Sequence, residues 1–435
     1  MAKVAFHTLG CKVNHYESEA MMDLFKKKGY DIVDFNEEAD VYVVNSCTVT
    51  NEAARKSRQL ARKARRINPE AIVALVGCYT QVAPDEVKGI EGVDLFLGTS
   101  NRSHIVEYVE EFQKLGSANI EILKRQDLSV FEDLRVESLQ ETTRAYVKIE
   151  EGCNQFCSYC IIPYARGPVR SREPESVREE IKELVDKGVK EIILTGTHLG
   201  AYGTDWGKED SLEQLLQELV KIDGLEHIRL SSIEVTEITE GLIDILATEQ
   251  KVCPHLHLPL QSGSDKILKL MRRPYSTAEF RAMVEKLRER IKDIAITTDV
   301  IVGFPGEDEE AFQENYNFVK EMAFSRLHVF PFSKREGTPA ARMGEQVSAE
   351  QKKIYSNKML ALNEELMLEY QSRFLGTVRP VIVEEKRDQE TKLLTGMTDN
   401  YLRVLVDADE TYMGQLVKVK LLKSHSHETV IGEIV

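Results

Sequence analysis

Glu151-Gly152-Cys153-Asn154-Gln155-Phe156-Cys157-Ser158-Tyr159-Cys160 brings three thiols together just after Ala145–Ile149, an apolar run that reads as a strand. Thiolates this close bind a soft metal, pair with each other, or need an electropositive pocket. Structural zinc wants four ligands, usually in paired C-x2-C arms. Here the arm is C-x3-C-x2-C and no second arm follows. Three cysteines on one loop suit three irons of a [4Fe–4S] cluster and leave the fourth iron for an external ligand. Downstream, strand patterns recur at Glu191–Thr195, His227–Ser231, His255–Leu260, Ala295–Val302 and Arg326–Phe332. Helical patterns such as Leu212–Ile222 and Thr277–Arg290 lie between them, and a long helical stretch, Ala349–Phe374, closes the segment. Six βα units in about 200 residues predict a partial (β/α)6 barrel over 141–370, with its functional loops at the strand C-termini.

Upstream, residues 1–115 also alternate strand and helix. Lys3–His7, Val41–Val44, Ala71–Val76 and Val93–Leu97 read as strands, and Tyr16–Lys28 and Asn51–Arg66 as helices. Apolar strands separated by helices imply an open parallel sheet with both faces covered. The first three of these strands run into Cys11, Cys47 and Cys78, each in a Gly- or Ser-containing loop. Parallel strands share a C-terminal edge, where open α/β sheets bind ligands, so the three thiols can meet in one crevice. Residues 116–140 are polar and irregular, which suits a linker. From 371 on, short β-rich runs broken by Gly and Asp predict a small all-β barrel of about five strands.

The chain has 435 residues, enough for about three domains. No apolar run approaches the ~18 residues of a membrane span, and the start MAKVAFHTLGC lacks a secretory pattern. Seven cysteines, an odd number, argue against a secreted disulfide framework. A cytoplasmic protein is expected. The net charge of −15 excludes a uniformly basic nucleic-acid coat but not a local patch. Such a patch exists: Arg55, Lys56, Arg58, Arg62, Lys63, Arg65 and Arg66 share one helix with only Glu52. A run of cations without interleaved carboxylates favours phosphate binding over an ordinary solvated face. Cys253 has no partner at metal-site spacing and reads as a structural thiol. Trp206 reads equally as a cover for the site or as a loop anchor.

The three-cysteine loop at the end of the first barrel strand resembles the radical S-adenosylmethionine (SAM) superfamily. That resemblance implies a cluster whose open iron chelates SAM and whose electron splits it to a 5′-deoxyadenosyl radical. Tyr159, Gly196, Ser232, Gln261, Arg273 and Gly303, at the strand ends or just after them, are the expected SAM contacts. A guanidinium at Arg272 or Arg273 could hold the SAM carboxylate or an RNA phosphate, or be a solvated helix end.

Taken whole, a three-cysteine α/β domain, a radical-SAM barrel and a small β barrel resemble the methylthiotransferase family. TLGCKVNHYESE, NSCTVTNEAARKSRQ and EGCNQFCSYCIIPYARGPVRSR resemble the branch acting on N6-threonylcarbamoyladenosine beside the tRNA anticodon. The family resemblance implies a second [4Fe–4S] cluster on Cys11, Cys47 and Cys78, and a TRAM-like RNA-binding barrel at the C-terminus, where Lys418 and Lys420 share a strand face. No side-chain catalyst beyond the clusters is implied. One SAM methylates a cluster-bound sulfur, and a second gives the radical that opens C2 of the adenine. The implied partners are tRNA carrying the modified adenosine, a low-potential electron donor such as flavodoxin or ferredoxin, and an unidentified sulfur donor. The same chemistry on N6-isopentenyladenosine, or on a ribosomal-protein aspartate, is the alternative, and a non-catalytic iron–sulfur RNA-binding protein is the remote one. RNA binding by Arg55, Arg58, Arg62, Lys63, Arg65 and Arg66 is common to the tRNA readings.

Overall fold

A computed structural model describes residues 1–118, 120, 122–137 and 143–435. The N-terminal domain runs β1 (Lys3–Thr8), α1 (Lys12–Lys27), β2 (Asp31–Val33), β3 (Val41–Ser46), α2 (Asn51–Ile67), β4 (Ile72–Gly77), α3 (Cys78–Val82), α4 (Pro84–Lys88), β5 (Leu95–Leu97) and α5 (Ile105–Leu115). The sheet is parallel in the order β2-β1-β3-β4-β5. Val41, Val43, Ala74 and Val76 bury one face against α1 and α5. Tyr42, Val44, Val73 and Leu75 bury the other against α2. Covering both faces explains why these strands are apolar throughout. The three-residue edge strand β2 was too short to read from the sequence. Helix α1 starts one turn before the expected Tyr16, because Cys11 is extended and Lys12 opens the helix.

The central domain contains β6 (Arg144–Lys148), β7 (Glu150–Glu151), α6 (Ile162–Arg166), β8 (Arg170–Ser171), α7 (Pro174–Asp186), β9 (Glu191–Thr195), α8 (Ser211–Leu219), β10 (His227–Leu230), α9 (Glu240–Thr248) and β11 (His255–His257). It continues with α10 (Asp265–Met271), α11 (Thr277–Arg290), β12 (Ala295–Val302), α12 (Glu309–Met322), β13 (Arg326–Pro331) and α13 (Ala349–Ser372). Two parallel three-stranded sheets, β6-β9-β10 and β11-β12-β13, join through bridges at Ile228–Val252 and Ser232–His257. Together they form the partial six-stranded barrel. Helix α11 matches the expected span because its signal is local: Ser276 and Glu279 form a reciprocal capping box. Strand β11 is shorter than the expected His255–Leu260. Pro259 lacks the N–H that would continue the ladder.

The last segment is a closed barrel of β14 (Val378–Arg387), β15 (Leu394–Thr398), β16 (Arg403–Val406), β17 (Leu416–Ser424) and β18 (Thr429–Ile434), in the order β14-β15-β16-β18-β17. Val381, Val404, Val419, Leu421 and Val430 fill it. It docks under the central domain: Tyr401 stacks on His255 with centroids 4.0 Å apart, and Arg229 donates to the carbonyls of Thr398 and Asp399 at 3.1 Å.

The polar stretch after α5 is no free tether. Leu134 and Val136 are buried against Tyr16 and Ala20 of α1. The expected boundary between linker and barrel, at 140/141, lies outside the described residues.

Candidate active site

The loop after β7 begins at Gly152, whose φ is +100° and where an added Cβ would strike the Pro168 carbonyl. Only glycine lets the chain turn there so tightly. The Cys153 N–H then bonds the Gly167 carbonyl at 3.0 Å. Each thiol sulfur has a donor or a ring nitrogen beside it. The Gln155 N–H lies 3.3 Å from Cys153 Sγ and the Ile162 N–H 3.4 Å from Cys160 Sγ. Arg273 Nη1 is 3.4 Å from Cys157 Sγ, and His198 Nδ1 is 3.6 Å from Cys153 Sγ. Burial pushes the Cys160 thiol up to about 12, with Cys157 and Cys153 adding to it and Arg273 opposing. Three sulfurs on one short loop, ringed by donors, fit a soft cationic cluster.

The expected SAM residues divide. Arg273 is inside, ion-paired with Glu234 and bonded to the Pro259 carbonyl at 3.3 Å; Arg272 is exposed in the left-handed cap of α10. Tyr159 packs edge-on to Phe304 at 6.5 Å. Gly196 lies against Glu150, where any side chain would collide with the carboxyl. Ser232 is exposed at the end of β10, and Gln261 is buried with φ +67°. Gly303 is covered by the Lys352 side chain, and its N–H is taken by Glu307. Two residues outside the expected SAM contacts join the site, Glu150 and His198. Glu150 accepts the His198 N–H at 2.6 Å, but its other oxygen is buried without a partner. Burial raises this carboxyl to about 8. Such an orphaned oxygen, three residues before Cys153, suits a hydrogen-bond donor on a ligand. Although burial opposes it, hydrogen bonds to Cys153 and Glu237 push His198 up to about 11. A charged residue ending an apolar strand just before the cysteine loop was the available signal for Glu150.

Cys11, Cys47 and Cys78 follow β1, β3 and β4, which are neighbours in the sheet. Gly10, with φ +119°, lets the first loop close on the second; a Cβ there would stand 3.1 Å from Cys47 Cβ. Cys11 Sγ lies 3.4 Å from Asn14 Oδ1, and Cys78 Sγ accepts from Arg166 Nε at 3.1 Å. Burial pushes Cys47 up and Cys78 to about 12, against the pull of Arg166. The second thiol triad therefore also fits a cluster, with the Arg166 guanidinium against one of its sulfurs.

The two triads belong to one interface. Arg166, at the end of the short helix α6 that follows the barrel triad, bonds Glu17 and Asn14 of α1 as well as Cys78. Arg335, after β13, donates to Thr48, next to Cys47, at 2.6 Å. Beneath them the inward side chains of the barrel are polar. His257 meets Asp299 at 3.2 Å and Thr297 at 2.9 Å, and its ring lies 5.6 Å from that of His328. At the base, Glu191 binds Arg229 at 3.1 Å and His227 at 3.3 Å, with Cys253 alongside. Arg229 pairs with that carboxylate. Trp206 packs against Tyr202 at 5.4 Å as a loop anchor.

The basic helix is more divided than its sequence. Arg55 pairs with Glu52, Arg58 with Glu86, and Arg65 with Asp94 and three backbone carbonyls. Lys63 bonds the Asn36 amide. Lys56, Arg62 and Arg66 have no ionic partner among the described residues, and with Lys63 they line one groove of about 980 Å³. Lys418 and Lys420 are exposed on β17.

Two family models match the chain: the radical SAM superfamily over 147–319 and an uncharacterized protein family, UPF0004, over 3–98. The threonylcarbamoyladenosine tRNA methylthiotransferase MtaB of Bacillus subtilis is 47% identical over 427 residues, spanning 98% of this chain and 94% of the relative. The chain belongs to the radical SAM methylthiotransferase family. The enzyme of the same description from Aquifex aeolicus is 39% identical over 96% of this chain and 99% of its own. A tRNA-2-methylthio-N(6)-dimethylallyladenosine synthase of Clostridium novyi is 37% identical over 98% and 95%. Among solved structures, the radical SAM methyltransferase TsrM of Kitasatospora setae shares the fold (TM-score 0.56, 17% identity, 78% of this chain and 77% of that one). The methylthiotransferase described here thus combines a radical-SAM barrel with a three-thiol sheet edge and a TRAM-like closed barrel. No helix among the described residues is long and apolar enough to cross a membrane.

Proposed function

We propose that this methylthiotransferase places a methylthio group on C2 of N6-threonylcarbamoyladenosine beside the anticodon of cytoplasmic tRNA, using two [4Fe–4S] clusters and two SAM molecules. The observation that carries the reading is the pair of thiol triads at strand ends of two sheets, joined at one interface through Arg166. The name shared by relatives at 47% and 39% identity favours this substrate over that of the dimethylallyladenosine synthase of Clostridium novyi, which is 37% identical. Bound at Cys153, Cys157 and Cys160 and at Cys11, Cys47 and Cys78, the clusters supply one-electron chemistry on SAM and a site for sulfur. The chain's own groups orient and shield. Arg273, held by Glu234, and His198, held by Glu237, direct N–H groups at sulfur. Glu150 offers its unpartnered oxygen to a donor on SAM. Arg166, which donates to Cys78, favours an anionic sulfur there. A flavodoxin or ferredoxin would supply the electrons.

Cys47→Ala tests the division of labour. Cys47 lies outside the interface ion pairs, so its loss should remove one ligand without loosening the barrel. The variant should hold about one cluster less iron, still cleave SAM reductively, and leave the adenine unthiolated by nucleoside mass spectrometry. Wild-type iron with normal product would show that the N-terminal thiols are inert.

RNA affinity should rest on the free cations of α2. Replacing Lys56, Arg62, Lys63 and Arg66 by Gln should weaken tRNA binding and flatten its dependence on log salt by roughly one unit for each phosphate no longer neutralised. SAM cleavage without RNA should persist. An unchanged salt slope would make the groove a solvated face.

A further inference from the structure

Of the Phe, Tyr and Trp side chains described, only Phe156, Tyr164 and Phe330 are exposed, and two of them stand together beside the barrel triad. Phe156 lies between Cys153 and Cys157, and Tyr164 on the short helix α6 that follows Cys160. Their ring centroids are 5.8 Å apart at 73°, with Phe156 42% and Tyr164 40% exposed. The Arg125 guanidinium lies over the Phe156 ring, 5.0 Å from its centroid, and its Nε donates to the Pro163 carbonyl at 3.1 Å. The connecting strap thus fixes a guanidinium plate against an edge-to-face pair of rings, and neither ring joins an apolar core.

Tyr164 and Arg125 also line a groove of about 750 Å³ between the N-terminal and central domains. It passes both thiol triads, since Tyr79 follows Cys78, Ile161 follows Cys160, and both line it. Arg58 of α2 stands on its wall, ion-paired with Glu86. Three further cations line it, Lys124, Arg125 and Arg335, against one further acid among the described residues, Glu336. The groove therefore suits an anionic chain. Helix α2 borders both this groove and the one lined by its free cations.

Resting on the tRNA reading above, we propose that Phe156, Tyr164 and Arg125 form a stacking platform for an unpaired anticodon-loop base next to the target adenosine. The target has to meet sulfur at one triad and the radical at the other, so the nucleotides joined to it lie near both. Proteins hold splayed single-stranded bases by stacking them on aromatic rings and guanidinium planes. A base laid on these rings also removes apolar surface that the free protein leaves in water. A groove walled by two domains suits a strand of RNA better than the broad face that a protein electron carrier needs. Every base has a π-face, so the platform orients the loop and selects little by sequence.

The test uses the cluster-loaded enzyme and an anticodon stem–loop RNA bearing threonylcarbamoyladenosine, with binding measured at several salt concentrations. Tyr164→Ala and Phe156→Ala should each weaken binding by about fivefold or more. The slope against log salt should not change, because no phosphate contact is lost. Tyr164→Phe and Phe156→Tyr should stay within about twofold of wild type. Iron content should match wild type; Tyr164→Ala lies outside the cysteine run and carries the test should Phe156→Ala lose iron. With an abasic nucleotide placed in turn 5′ and 3′ of the target, one of the two positions should make Tyr164→Ala and wild type bind alike. Wild-type affinity in both alanine variants overturns the platform and leaves the function standing. So does a loss that shows only in the rate of reduction by flavodoxin, which would make the rings a protein-docking site. A stem–loop that is bound with these losses but not thiolated by the wild type removes the proposed substrate and leaves the platform.

Discussion

Cys157→Ala is expected to abolish 5′-deoxyadenosine formation while leaving the N-terminal triad able to load. Cys157 is buried, is the middle thiol of its loop, and is the one that Arg273 addresses at 3.4 Å. With it gone, two sulfurs remain for a cluster that needs three protein ligands to hold its place. Iron should fall by about one cluster, and the product assay should lose the nucleoside altogether rather than a fraction of it. The loop itself should keep its shape, because Gly152, the Cys153–Gly167 bond and the Ser158–Met271 bond are independent of this sulfur. Retained SAM cleavage would remove the barrel triad from the reaction.

Arg166→Met should be the most destabilising single change at the domain interface. Arg166 is buried and spends its guanidinium on Glu17, on Glu151 at 2.9 Å, on Asn14 at 3.1 Å and on Cys78 at 3.1 Å. Arg102 and Lys148 contact the same two carboxylates, Arg170 reaches Glu151 at 3.7 Å, and Glu132 of the connecting strap holds Arg102 at 2.9 Å. Removing one partner from a buried ion network strands the others, at a cost of roughly 3–5 kcal/mol. Urea unfolding of the variant should show a lower midpoint, with the N-terminal domain released first. Adding Glu17→Gln to Arg166→Met should recover part of that stability, since the two residues touch. An unchanged midpoint would mean that the domains are joined by their apolar contacts alone.

Much of the architecture was legible because the signals were local. The apolar runs of β3 and β4, the capping box at Ser276 and the Gly and Asp turns of the C-terminal barrel each lie within a few residues of chain. The strap after α5 misled for the complementary reason. Its polarity suits a tether, but Glu132 and Asp133 face Arg102 and Arg172, which are remote in sequence. Likewise α2 shows seven cations, and which of them are free depends on Glu86 and Asp94, far along the chain.

By itself, the sequence determined that the thiols fall into two sets of neighbours. Three cysteines on one loop need no fold to be neighbours, and three cysteines ending parallel strands must share an edge. Tertiary structure alone decided that β1, β3 and β4 lie side by side, that Tyr401 closes the barrel base, and that Arg166 reaches both Cys78 and Glu17 across the domain interface. A side chain's type is written in the chain, but its electrostatic state depends on which distant charges the fold brings near and on how much water it removes.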